Sequence, residues 1–246
     1  MIDSLAVAAG AGSARRILVT GATRGIGKAI AQEYRKTGHF LIGVGTSAIG
    51  AVDWLDEYIV SDFSRIEAIE DCARQVRALQ VDVLVNNAGI NKNQPFEEIS
   101  AQDFLQIQQI NVVAPLMLCQ AVLPGMRQRR WGRIVNLSSI WGKISKAHRA
   151  SYSTSKFGLD GMTAALAAEV AADGILANCV APGFTDTELT QRMLGAQGIR
   201  DLVAQVPLGR LASVEEIARL VCWLGSEQNS YVSGQNIAID GGFTRV

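Results

Sequence analysis

The feature that most restricts this chain is Arg16-Ile17-Leu18-Val19-Thr20, a compact apolar strand that runs directly into Gly21-Ala22-Thr23-Arg24-Gly25-Ile26-Gly27. Beyond that turn Ile26, Ile30 and Tyr34 recur at helical spacing. A strand that empties through glycines into a helix is a βα unit, and such units bury their strands only inside a parallel sheet covered by helices. The turn also suits a phosphate. Missing side chains let the backbone come close, and the unpaired N–H groups of the helix N-terminus face the negative charge. The spacing is GxxxGxG and not GxGxxG, so Gly21, Thr23, Arg24, Gly25, Ile26 and Gly27 are candidates by virtue of the strand before them and the helix after them.

The same alternation continues along the chain. Apolar runs at His39–Gly45, Val81–Val85, Ile134–Leu137, Ile175–Val180 and Gln235–Ile239 read as strands, and another short run precedes Asp62-Phe63. Between them lie helical stretches from about Arg65 to Leu79, Ala101 to Met126 and Tyr152 to Ala172, and one ending at Leu224 that opens on the capping box Ser213-Val214-Glu215-Glu216. At least six strands alternating with helices predict a doubly wound parallel sheet with helices on both faces and ligands at the carboxyl ends of the strands. Residues 48–60 are short for a full crossover helix, and Asp53, Asp56 and Glu57 are expected to cap a stunted one. Within the helix from Ala101 to Met126, Pro115 is expected to break the hydrogen-bond ladder, with Asn111 just before the disruption. The stretch Phe184–Val206, with Gly195 and Gly198 inside it, reads as polar and irregular, a lid at about 184–206 over a substrate. Residues 1–14 read as a flexible leader and 15–246 as one domain.

Charge and cysteine content narrow the setting. Lys+Arg 23 against Asp+Glu 23 gives no net charge, which offers nothing to a nucleic acid or an anionic membrane. The local cluster Arg127, Arg129, Arg130 and Arg133 fits a solvated helix end or a dock for an acidic macromolecule. Cys72, Cys119, Cys179 and Cys222 stand singly, with no CxxC and only His39 and His148 as further soft ligands. That argues against a metal and against disulfides, and for the reducing cytoplasm. Asp3 stands where a signal peptide would carry positive charge, and no apolar run reaches 18 residues.

The chemistry concentrates between Arg133 and Ala172. The strand Ile134–Leu137 empties into Ser138-Ser139, and the helix that follows carries Tyr152 and Lys156 one turn apart. A phenol is a weak acid at neutral pH, but a lysine beneath it stabilises the phenolate, and a serine hydroxyl can hold an oxygen on which charge develops. This is a proton-transfer site for a carbonyl/alcohol pair. At the end of the second strand, Gly43-Val44-Gly45-Thr46-Ser47 offers no carboxylate for a ribose 2'-hydroxyl. Arg24 sits in the glycine loop, so NADP(H) is favoured over NAD(H). Asn87, Ala88 and Gly89 are small or amide residues that allow a flat ligand to come close, and Asn111 is either a satisfied core amide or a holder of water.

Taken together, Thr20-Gly21-xxx-Gly25-Ile26-Gly27, Asn86-Asn87-Ala88-Gly89, Asn111, Ser139, Tyr152-xxx-Lys156 and Pro182-Gly183 resemble the short-chain dehydrogenase/reductase family, over essentially everything after residue 14. In character the chain is similar to bacterial 3-oxoacyl-[acyl-carrier-protein] reductases, whose C-terminal run is like Gln205–Leu211 and Tyr231–Gly234. The resemblance implies a single α/β domain of Rossmann type, an oxidoreductase acting on CH–OH groups, NADP(H) as cofactor and a homotetramer. It implies Tyr152 as general acid, Lys156 on the nicotinamide ribose, Ser139 on the substrate oxygen and Asn111 on a relay water. The glycine loop takes the pyrophosphate, Asp62 and Phe63 the adenine edge, Asn87, Ala88 and Gly89 the ribose region, and Pro182, Gly183, Thr185 and Thr187 the carboxamide and pyrophosphate. Arg24 and Thr46 correspond to 2'-phosphate contacts.

The reaction so implied is reduction of a 3-oxoacyl thioester, as in fatty-acid or polyketide synthesis, possible also on an acyl carrier protein. The alternatives are a free ketone, a sugar or a hydroxylated ring, or a noncatalytic NADP-binding protein, although the last would be expected to lack Ser139, Tyr152 or Lys156. Two departures bear on the substrate. Arg130 matches one carrier-docking arginine of those reductases, but Asp173 occupies the place of the other. The loop Trp141–Arg149 is unusually basic, with Lys143, Lys146, His148 and Arg149, which suits either solvated surface or a carboxylate or phosphate on the substrate.

Overall fold

Strands rich in Val, Ile and Leu pair edge to edge into a seven-stranded sheet. In a computed structural model that describes residues 14–245, they are β1 (Arg16–Thr20), β2 (Phe40–Gly45), β3 (Glu57–Val60), β4 (Val83–Asn86), β5 (Gly132–Leu137), β6 (Ile175–Pro182) and β7 (Asn236–Ile239). All neighbours are parallel and the order is β3-β2-β1-β4-β5-β6-β7. The expected leader lies outside the described residues apart from Ala14. The connecting helices are α1 (Gly25–Arg35), α2 (Ile66–Ala78), α3 (Ala101–Gln108), α4 (Ala114–Arg129), α5 (Ala150–Val170), α6 (Glu188–Val203) and α7 (Val214–Leu224).

Side chains alternate across the strands and so build two cores. Ile17, Val19, Leu41, Val83 and Val85 pack under α1 and α7, with Ile30, Tyr34, Ile217 and Val221. Leu18, Ile42, Leu84 and Ile134 face the other way, against Ile69, Val76, Leu118, Val122 and Met126 of α2 and α4. The run Ala101–Arg129 has the length and hydropathy of a membrane span, yet half of its apolar window is buried within this second core.

Two sequence expectations need correction. The crossover after β2 has no stunted helix, because its acids are engaged elsewhere. Asp56 accepts the Leu41 N–H (2.7 Å) and the Arg35 guanidinium (2.8 and 2.9 Å), while Glu57 already belongs to β3. Trp54 closes the loop by donating to the Ala22 carbonyl (3.2 Å), with the Lys28 ammonium 4.2 Å from its ring centroid. The hydrogen-bond ladder around Asn111 is disrupted just before Pro115, as expected, while the helix runs on. One wide turn, Gln109–Val113, has i→i+5 bonding and joins α3 to α4, so Pro115 falls in the first turn of α4, where a missing N–H is tolerated. The stretch expected to be irregular, Phe184–Val206, is largely α6. Thr187 caps it by accepting the Thr190 N–H (3.1 Å), and Gly195, at φ +60° and ψ −180°, leaves the helical conformation and divides it into two helical segments.

Asp56 therefore stitches β2 to the shortened crossover. Asp56→Ala is expected to lower stability by about 1–2 kcal/mol, because the N–H of buried Leu41 loses its acceptor. Urea denaturation should show this as a fall in midpoint, and an unchanged midpoint would mean that water replaces the carboxylate at no cost.

Candidate active site

The strand order reverses between β1 and β4, and the crevice at their carboxyl ends collects the glycine loop, the residues after β4, Ser139 after β5 and Gly183 after β6. Gly21 lies at φ +68°. A Cβ on Gly27 would stand 2.2 Å from the Gly21 carbonyl oxygen, so α1 reaches the turn only because position 27 is bare. The clamp is Asn87. Its Nδ2 donates to the Thr20 carbonyl (2.9 Å), and the Thr20 hydroxyl accepts the N–H groups of Asn87 and Ala88 (both 2.9 Å). Asn87, expected as a ligand contact, thus ties β1 to β4 beneath the loop. On the open side, a Cβ at Gly25 would meet nothing nearer than Thr187 Cγ2 at 3.9 Å. Glycine turn, helix N-terminus and Thr187 frame a gap that fits a dinucleotide pyrophosphate.

At the adenosine end, Arg24 and Thr46 are exposed. Gly45 gives its side-chain space to the Tyr58 hydroxyl, which donates to the Ser47 carbonyl (3.0 Å). The Asp62 carboxylate accepts the Ser64 N–H (3.0 Å), and these Ser64 hydrogen bonds hold it below the usual range. Phe63 is buried, and its carbonyl accepts from Gln109 (3.0 Å). Pro182 closes β6, the Gly183 N–H reaches the Ile239 carbonyl (2.9 Å), and the buried Thr185 donates to the Gly183 carbonyl (3.2 Å).

Ser139, Tyr152, Lys156 and Asn111 come together. Ser139 caps the short turn Ile140–Gly142 by accepting the Trp141 N–H (3.2 Å). Burial raises the Tyr152 phenol, while Ser139 and the Arg149 charge pull it back. Lys156 is buried and 5.5 Å from the Tyr152 ring centroid, and its ammonium donates to the Leu137 carbonyl (2.6 Å). Burial lowers it to about 8.

Asn111 is saturated by protein. Its Oδ1 accepts the Ile90 N–H (2.9 Å), and its Nδ2 donates to the Ile90 carbonyl (2.9 Å) and to Ser155 Oγ (3.0 Å), which in turn donates to the Tyr152 carbonyl (2.7 Å). A Cβ on Gly89 would stand 3.1 Å from Asn111 Oδ1 and 3.7 Å from Lys156 Nζ, so Gly89 must be small for this group to assemble.

Thr20, Ser155 and the Leu137 carbonyl were missed in the sequence. Thr20 stood in plain view at the end of β1. The other two carry no local signal, since a mid-helix serine and a strand carbonyl look like any others. The arginine cluster, by contrast, does not act as one patch. Arg133 is buried and donates to the carbonyls of Gly132, Gly174, Ser226 and Asn229. Arg129 pairs with Asp82 (3.0 Å), and the Asp173 carboxylate takes both Arg127 (3.0 Å) and Arg130 (3.2 Å).

Residues 21–244 match a family model described as enoyl-(acyl carrier protein) reductase. The 3-oxoacyl-[acyl-carrier-protein] reductase of Pseudomonas aeruginosa is 38% identical over 236 residues, covering 92% of this chain and 95% of that protein. That of Escherichia coli is 36% identical, covering 93% and 97%. Among solved structures, a candidate NAD(P)-dependent gluconate 5-dehydrogenase from Beutenbergia cavernae with bound NADP superposes with a TM-score of 0.88 at 31% identity, covering 96% of this chain and 99% of that one. A candidate 2-deoxy-D-gluconate 3-dehydrogenase from Agrobacterium tumefaciens with bound NADP gives 0.87 at 29% identity, covering 94% and 97%. With the Ser139–Tyr152–Lys156 group at the sheet's carboxyl edge and likeness along nearly the whole chain, the protein belongs to the short-chain dehydrogenase/reductase family.

Proposed function

We propose that this chain is an NADP(H)-dependent reductase that converts a 3-oxoacyl thioester to the 3-hydroxyacyl thioester. The observation that carries the reading is the full-length likeness to 3-oxoacyl-[acyl-carrier-protein] reductases, with the proton-transfer group in place. The glycine turn, Thr187 and the ribose-side residues Asn87, Ala88 and Gly89 hold the dinucleotide, and Arg24 with Thr46 receives a 2'-phosphate at a strand end that has no competing acid. When bound, the reduced nicotinamide supplies the hydride. Tyr152, kept protonated by its burial, gives its proton to the developing alkoxide, while Ser139 holds the same oxygen. Lys156 turns from the Leu137 carbonyl toward ribose and phenolate. A relay water belongs on the main-chain carbonyl of Asn111, because both side-chain N–H groups are taken by protein and Pro115, four residues on, has no N–H to donate to that carbonyl. The kinked α6 acts as the lid. Four unpaired cysteines suit a cytoplasmic setting.

A second reading, oxidation or reduction of a small sugar acid or other free carbonyl compound, is favoured by the likeness to the gluconate dehydrogenases and by the basic loop before Tyr152. NADPH oxidation with acetoacetyl thioesters, set against NADP+ reduction with aldonates, separates the two. NADPH should exceed NADH in kcat/KM whichever substrate is used, and parity would remove the role given to Arg24.

Tyr152→Phe is expected to lower kcat by about 10²- to 10⁴-fold with NADPH affinity unchanged, whereas Lys156→Ala should weaken both. A Tyr152→Phe enzyme keeping a tenth of its turnover would displace Tyr152 as the acid. Because Asp173 neutralises Arg130 at the edge where an acidic carrier would dock, the wild type should discriminate weakly between acetoacetyl on a carrier protein and on a small thiol. Asp173→Arg should then raise kcat/KM for the carrier-bound form more than for the small thioester, chiefly at low salt. A strong wild-type preference for the carrier would show that the remaining arginines suffice. The assembly we infer is a homotetramer, so light scattering should give about four times the 26.3 kDa chain mass. A fully active monomer would count against it.

A further inference from the structure

Between residues 94–97 and 145–150 lies a cavity of about 280 Å³ that the mechanism above leaves unused. The two loops are joined where the Gln94 N–H donates to the His148 carbonyl (3.3 Å). One wall is Ala150, in the first turn of α5, two residues before Tyr152. Lys146 and His148 line the space, and Glu97 is the acid on its wall. Gln94 also lines it, and the Gln94 Oε1 atom is buried without a hydrogen-bond partner.

The cations are arranged unusually. Lys146 Nζ and the Arg149 guanidinium both lie over the Trp141 ring, 5.2 and 5.4 Å from its centroid. Trp141 is buried, packs edge-on against Phe184 and Phe243, and is tied by its N–H to Ser139. Elsewhere the arginines near a carboxylate are paired with it, as Arg127, Arg129, Arg130 and Arg210 are. Among the described residues no ion pair within 4.0 Å involves Lys146, His148, Arg149 or Glu97. Two cations beside one indole, neither paired with a carboxylate, repel each other, and an anion within reach of both relieves that repulsion.

We propose that Lys146 and Arg149 receive an oxyanion carried by the substrate, a carboxylate or a phosphate, and so orient its carbonyl toward Ser139 and Tyr152. The inference rests on the reading of Tyr152 as proton donor, and it holds whether the anion is the carboxylate of a small keto acid or a phosphate on a thioester's carrier. Arg149 immediately precedes α5, three residues before Tyr152, so the pair sits at the end of the helix that carries the proton donor.

Matched pairs of substrates test it. Acetoacetyl-coenzyme A against uncharged acetoacetyl-N-acetylcysteamine reports on phosphate, and 3-oxobutanoate against its methyl ester reports on carboxylate. In at least one pair the charged member is expected to have the higher kcat/KM, and the ratio should fall about tenfold in Lys146→Gln/Arg149→Gln, the worth of one charge-assisted contact. Lys146→Glu should lower it further, and added salt should erode it in the wild type. Retained NADPH binding shows that each variant is folded. Ratios near one in both pairs, or ratios unchanged by the substitutions, would overturn the proposal while leaving Tyr152 in its role. If the wild type reduced none of the four, the reading of the site would fail and the inference with it.

Discussion

A line of buried hydrogen bonds fixes where the catalytic helix sits. Asn86 of β4 donates to Asn136 of β5 (2.8 Å), Asn136 donates to Thr163 of α5 (2.8 Å), and the Cys179 thiol of β6 joins at Thr163. These strand positions are register partners, so the line crosses three adjacent strands at one height. A helix held by large apolar side chains can be set by their shape. The buried face of α5 is instead largely Ser151, Ser153, Ser155, Lys156, Thr163 and Ala167, which pack smoothly and specify little. Unmaking one of those buried hydrogen bonds leaves a polar group stranded, and this sets the height of α5 against the sheet. Tyr152 and Lys156 then meet Ser139 because all three are measured from the same two strands.

The cofactor side follows a comparable logic. Thr20 and Asn87 knit the ends of β1 and β4 together, and the bare positions Gly21 and Gly27 let α1 and the Asn87 amide close on that knot. Two constraints of different chemistry, an amide clamp and absent side chains, fix one loop. The catalytic and cofactor halves join at Gly89, where Asn111 and Lys156 both approach. Asn111 therefore serves first as a positioning residue, holding Ile90 and, through Ser155, the first turn of α5.

Much of this was legible in the chain. The strands announced themselves as apolar runs between glycine or asparagine turns, and Ser139, Tyr152 and Lys156 stood at spacings that a strand end and a helix face bring together. What misled was local reading of residues whose partners lie far away. Asp53, Asp56 and Glu57 resembled helix caps, yet Asp56 answers to Leu41 and Arg35. The stretch around Gly195 and Gly198 resembled irregular chain, yet it is helical on both sides of Gly195, which alone leaves the helical conformation. The structural role of Asn87 was hidden because nothing in the sequence shows that Thr20 meets it.

Lys156 shows how position in the fold becomes chemistry. Among the described residues its buried ammonium has no carboxylate partner and its hydrogen bond goes to the Leu137 carbonyl, and burial brings it to about 8. The sign of the effect on stability follows. Below that value the group is charged in both folded and unfolded chains, and the folded one bears the cost of burying the charge; as pH rises from about 8 toward the ordinary lysine value of 10.5 the cost fades, because the folded chain sheds its proton first. At neutral pH the fold therefore holds a cation that is poorly compensated by its surroundings. In the proposed mechanism, hydroxyl groups of a bound ribose and the negative charge developing on Tyr152 supply the compensation that the protein withholds. A carboxylate beside Lys156 would stabilise the resting fold and would compete for the ammonium at the moment Tyr152 releases its proton.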